Sequence, residues 1–154
     1  MLSSPPITTI EPMFAERWFA GTYVVSGTFF LDGAAVTSSH VESDIEPLYR
    51  EVRRSKKAMW PRGLAGFFVI PIYCAAGFDD EIRGWIRSRH SFAYAIWPEP
   101  LLYETSQNSV IFREDFGARG SAFYPYLSQL FGIGLNRAAA HFGHSSPPTR
   151  KKNA

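Results

Sequence analysis

The chain is expected to fold as one α/β (α+β) domain, a mixed sheet of four to five strands with three helices. Three observations lead there. Segments of helical and extended periodicity alternate along the chain. Between two of the helical segments, Gly63 to Phe78 carries no charge, which suits a strand covered on both faces. Hydrophobic content of 45% over 154 residues is enough for a core that needs no staples.

Residues 1–12 read as a disordered leader, with Ser3, Ser4, Pro5 and Pro6 crowded at the start. Phe14 to Ala20 reads as a short helical turn. Thr22 to Leu31 alternates as a strand, with Tyr23, Val25, Phe29 and Leu31 on one face. Asp32-Gly33 is the dipeptide of a tight hairpin turn, so Ala35 to Val41 is expected to return as a second strand.

Ser43 to Trp60 reads as an amphipathic helix. Ser43 and Glu46 match a capping box, and Pro61 and Gly63 end the segment. Ile45, Leu48, Val52 and Met59 line its apolar side. The strand that follows, Phe67 to Tyr73, leads to a helix over Asp80 to Arg89 with Ile82, Trp85 and Ile86 inward and Arg83 and Arg87 outward.

Phe92 to Trp97 is expected as a strand parallel to that of Phe67, because a helical crossover joins them. A break at Pro98 and Pro100 precedes an antiparallel pair, Leu101 to Tyr103 and Ser109 to Arg113. The last helix is expected over Ser121 to Phe142. Its inward stripe is Phe123, Leu127, Leu130, Phe131, Leu135 and Phe142, with small Gly134 and Ala138 at the centre. The domain thus spans residues 13–143, and 144–154 is expected to be a disordered basic tail. This element order is similar to the thioredoxin-like arrangement. With Cys74 the only cysteine there is no CxxC motif, so the likeness is architectural and carries no redox function.

Composition excludes more than it identifies. A net charge of +2 is too small to argue for nucleic acid by itself, and one cysteine leaves no intramolecular disulfide or multi-cysteine metal site. The N-terminus has neither the basic nor the apolar region of a secretory signal, so a cytoplasmic setting is expected. Gly63 to Phe78 is too short for a membrane-spanning helix and contains Pro71. No nucleophile–base pair, metal-ligand rhythm or cofactor fingerprint is present, so no catalytic residue, metal or cofactor is assigned.

Two surfaces carry charge that invites a function. Opposite the apolar stripe of the 43–60 helix lie Arg50, Arg53, Arg54 and Lys57. The helix dipole favours basic residues in the last turn, so a solvated face explains part of this row. A contact surface for an acidic protein is the alternative, and nucleic acid is its rival. The second candidate is Arg113 to Ser121, where Arg113, Arg119, Gly120 and Ser121 would form an anion pocket at a helix start. A plain glycine loop with Ser121 as N-cap competes with that reading. Glu99, between Pro98 and Pro100, either enters a pocket at a strand kink or guards a sheet edge. His141 and His144 are too few for a metal site.

The expected function is therefore binding rather than catalysis, by a small interaction protein holding a macromolecular, protein partner. Bacterial immunity proteins that neutralise toxins have this scale and lack catalytic motifs in the same way. Nucleic-acid binding through the 44–60 helix is one alternative. A small enzyme or ligand-binding protein taking an anion at the 113–121 loop is the other.

Overall fold

In the computed structural model, residues 10–19, 21–55, 65–89 and 96–151 are described. Seven strands form one mixed sheet: β1 (Met13–Phe19), β2 (Thr22–Asp32), β3 (Ala65–Ala75), β4 (Ile96–Pro98), β5 (Leu101–Glu104), β6 (Ser109–Ile111) and β7 (Thr149–Arg150). Three helices cover it: α1 (Ser38–Ser55), α2 (Asp80–Ser88) and α3 (Gly117–His141). The sheet order is β1-β2-β3-β5-β6-β7, with β4 also paired to β3. This is the single α+β domain expected, with more strands than foreseen.

Chain handedness explains where the helices lie. The crossovers β2–α1–β3 and β3–α2–β5 link parallel strands and step the same way across the sheet. Right-handed connections of that kind share one face. Val41 of α1 and Ile82 and Ile86 of α2 accordingly meet in one cluster with Leu31, Tyr73 and Leu102. Strand β6 runs the opposite way and pairs in parallel with β7, so the same rule sends α3 to the other face. There Leu127, Leu130, Phe131, Leu135 and Ala138 pack on Phe68, Ile70, Ile72 and Trp97.

The two faces of β2 and β3 are read directly from alternation. Val24 and Phe30 face α3, and Tyr23, Val25 and Phe29 pack with Val52 of α1. Close approach needs small residues at two places. A Cβ on Gly134 would lie 3.0 Å from Ile72 and Thr28, and one on Gly27 would lie 2.5 Å from a Val52 methyl.

Four expectations are corrected. The 14–20 segment is strand β1, hydrogen-bonded antiparallel to β2 from Met13↔Thr28 to Phe19↔Thr22. Ala15, Glu16 and Arg17 favour helix locally, and cross-strand pairing overrides that preference. The hairpin therefore precedes β2, with Gly21 (φ 76°) in its turn. No strand returns after Asp32-Gly33. Instead Asp32 Oδ1 accepts from the Ala34 N–H at 2.9 Å, and the Gly33 N–H donates to Cys74 O at 2.9 Å.

Helix α1 starts at Ser38, upstream of the expected Ser43 cap. Thr37 is the cap: its Oγ1 accepts the His40 N–H at 3.3 Å, while His40 Nδ1 accepts the Thr37 N–H at 3.1 Å. This is a reciprocal capping box with histidine in the place of glutamate. Thr37→Ala is expected to lower stability by about 1 kcal/mol in urea unfolding, and Thr37→Asp to retain it. Residues 56–60 of the expected helix, with Lys57 and Met59, lie outside the described residues, as do 92–95 of the expected Phe92 strand.

The tail from 144, expected to be disordered, is placed as far as Lys151. Thr149 and Lys151 N–H donate to Asn108 O and Val110 O at 3.1 and 3.0 Å. His144 Nε2–H donates to Thr105 O at 2.6 Å, and Arg150 lies over the Phe112 ring.

Candidate functional site

Pro71 creates the most unusual position in the sheet. Odd-numbered residues of β3 direct their backbone groups toward β4 and β5: Val69 O accepts from the Glu99 N–H at 2.8 Å and Ala75 O from the Thr105 N–H at 2.8 Å. In a parallel ladder the next donor to Glu99 would be residue 71, and proline has no N–H. The ladder breaks there, separating β4 from β5, and Glu99 sits in the break with only 3% of its surface exposed. The sheet-edge reading of Glu99 is thus corrected: the residue lies in the interior of the sheet.

Arg113, just past β6, holds this carboxylate. Its Nη2 is 3.1 Å from Glu99 Oε1 and donates to Pro98 O at 3.4 Å. The Arg113 side chain is 7% exposed, so both members of the pair are buried. A second guanidinium acts on the same carboxylate. Arg89 caps the C-terminus of α2 and lies over the Trp85 ring at 5.0 Å. Burial lowers the Arg89 pKa, and repulsion from Arg113 lowers it further, against attraction from Glu99. For Glu99 burial outweighs the attraction of Arg113 and Arg89, and its pKa is pushed up to about 7.

Beside this cluster, the Tyr73 hydroxyl donates to Asp44 Oδ2 at 2.8 Å, joining β3 to α1. Burial and the Asp44 charge raise the Tyr73 pKa far above the phenol range. Apolar clusters around Ile82 and Val52 flank these polar groups on the same face of the sheet. Cys74, on the opposite face, is buried and its thiol is pushed up to about 12, so it is no nucleophile at neutral pH.

The second buried acid is structural. Glu104, 1% exposed, is bound by Arg83 of α2, by Lys151 Nζ at 2.9 Å and by the Ser109 hydroxyl at 3.2 Å. Arg83 is therefore not the outward residue expected of α2. Bonds to Lys151 and Arg83 outweigh burial and hold the Glu104 carboxyl below its usual range.

The anticipated sites fare differently. Arg50, Arg53 and Arg54 are exposed on α1, two of them partly neutralised: Arg50 by Glu46 at 3.4 Å and Arg54 by Glu51 at 2.9 Å. Arg53 lies over the Tyr49 ring at 5.7 Å. The anion loop does not assemble as expected. Helix α3 begins at Gly117, so Arg119 and Gly120 fall in its first turn and Ser121 is no N-cap, its Oγ donating to Gly117 O at 2.7 Å. Arg113 is committed to Glu99 instead. His144 is held by Thr105. Among the described residues no group of three or more His, Cys, Asp or Glu is placed to hold a metal, and no helix is long and apolar enough to cross a membrane.

No protein-family model, curated protein or solved structure matches this chain. Function must be argued from these residues alone. Glu99 stood out in the sequence by its flanking prolines, but Arg89 gave no signal. Its partnership with residues 99 and 113 depends on sheet register, which spacing does not encode.

Proposed function

We propose that the protein is a non-catalytic interaction protein that holds an acidic protein partner, on the surface formed by strand β1 and the arginine-bearing side of α1. The supporting observation is the composition of that surface. Phe14 and Trp18 are 38% and 55% exposed on β1, the end strand of the sheet order. Both border the same apolar cluster as α1: Trp18 packs edge-on against Tyr23, Phe14 against Phe29, and these two pack with Val52. Exposed aromatics bordering the cluster on which α1 packs, together with the exposed Arg50, Arg53 and Arg54, combine the residue types that anchor protein interfaces.

Nucleic acid fits this surface less well. Glu46 and Glu51 pair with two of the arginines, and Glu16 lies on the same strand, where phosphate would require a continuous basic track. A cytoplasmic setting belongs to the same proposal.

Arg53→Glu/Arg54→Glu and Trp18→Ala are each expected to abolish capture of a defined partner from a cell lysate, with melting temperature nearly unchanged. An identical captured set for wild type and both variants would remove the proposal. Binding to random duplex DNA that weakens steeply with salt would favour the nucleic-acid reading instead.

A further inference from the structure

The cluster at the β4–β5 break holds more cationic donors than the described residues supply acceptors for. Among the described residues, Arg113 Nε, and Nε and Nη1 of Arg89, are buried and have no hydrogen-bond partner. Among the described residues Arg89 makes no ion pair, and the single carboxylate paired with Arg113 is Glu99. Arg83 also has a buried Nε without a partner, but its guanidinium reaches two acids, Asp80 and Glu104. At Arg89 and Arg113, Glu99 is the one acid in an ion pair among the described residues, and Glu42 attracts Arg89 without pairing with it. Buried charged donors left without acceptors are costly, and two like charges brought together add to that cost.

Arg113 is nine-tenths buried and anchored on one side by Pro98 O and Glu99, leaving its Nε edge unused. Arg89 is partly exposed, at the end of α2, with its ring-stacked face fixed by Trp85. The Glu114 N–H donates to Arg87 O at 3.1 Å, tying the end of α2 to the segment that carries Arg113. Planar guanidinium forks match oxyanions in geometry as well as charge.

We propose that Arg89 and Arg113 form a binding site for a small oxyanion, a carboxylate or a phosphate, reached from the C-terminal end of α2. Glu99 holds Arg113 in place and limits the site to one such group. The site is independent of the surface on β1 and α1.

The test follows the arginine Nε–H signals of the full-length chain by proton–nitrogen NMR during titration with sodium phosphate and, separately, sodium acetate. Sodium chloride holds ionic strength constant. Saturable shifts of the Arg89 and Arg113 signals are expected, with Arg53 unmoved. A tighter response to phosphate assigns a phosphate ester, and a tighter response to acetate a carboxylate. Arg89→Gln is expected to weaken the Arg113 response at least tenfold, while its backbone spectrum shows that the variant is folded. Absence of saturation with both anions, equal shifts with chloride, or an undiminished response in Arg89→Gln would overturn the site. The Arg53→Glu/Arg54→Glu variant should bind the anion as wild type does, which separates this outcome from failure of the protein-binding proposal.

Discussion

Replacing Arg113 with methionine is expected to cost about 3–5 kcal/mol of stability at pH 8, and markedly less at pH 5. Methionine keeps much of the apolar volume of the arginine stem, so the loss is chiefly electrostatic. At pH 8 Glu99 is ionised in the folded protein, and removing Arg113 strands a buried carboxylate. At pH 5 the same carboxyl is largely protonated and has little charge to lose. Urea unfolding at the two pH values measures the difference. Equal losses at both would show that Glu99 does not titrate in between.

The wild-type protein should show the same group in its own pH profile. An unfolded Glu99 releases its proton near 4.5, whereas the folded one holds it to about 7. Between those values the native state binds more protons than the unfolded state, so stability falls as pH rises through the window and levels off above it. The contribution is about 3 kcal/mol over the whole window. Glu99→Gln is expected to flatten this slope.

Glu104→Gln is the second large effect, expected to cost about 2–4 kcal/mol and to loosen the C-terminal strand. Arg83 and Lys151 would each lose their charged partner on this buried residue. Hydrogen exchange at the Thr149 and Lys151 amides, which donate to Asn108 and Val110, should accelerate well beyond that of core strands. Unchanged exchange there would mean that the backbone bonds of β7 hold the tail without help from Glu104. The pH dependence of this residue has the opposite sense to that of Glu99. Its folded pKa is depressed, so its contribution is complete above about 4.5 and is lost as pH falls through the folded value.

Elements whose local pattern agrees with their environment were legible in the sequence. The alternation of β2, the uncharged run of β3, the Asp-rich start of α2 and the apolar stripe of α3 from Phe123 to Leu135 match the structure, whereas Phe142, expected inward, is exposed past the helix end. Where long-range pairing decides, local signals misled. Strand β1 is written in helix-favouring residues and owes its form to β2. Asp32-Gly33 closes onto β3 rather than reversing into a hairpin. The α1 cap was hidden because His40 does the work expected of a glutamate. The tail looks like a solubilising extension, yet two backbone bonds and the Lys151–Glu104 pair fix it to the sheet.

The same division applies to the charged groups. The arginines of α1 are legible because one helix displays them at short spacing. The Glu99 cluster draws on the end of α2, the β4–β5 break and the end of β6, and only the strand register brings these together. Pro71 is the physical link: it removes the ladder donor that would reach the Glu99 carbonyl, and a buried carboxylate lies in the gap between β4 and β5.

Glu99 is a buried carboxyl whose desolvation outweighs the attraction of its two arginines. Its titration, followed through the side-chain carboxyl carbon by NMR, tests this most directly. A midpoint close to pH 7 is expected. A midpoint at or below 4.5 would contradict it, showing a carboxylate held ionised by a dominant salt bridge.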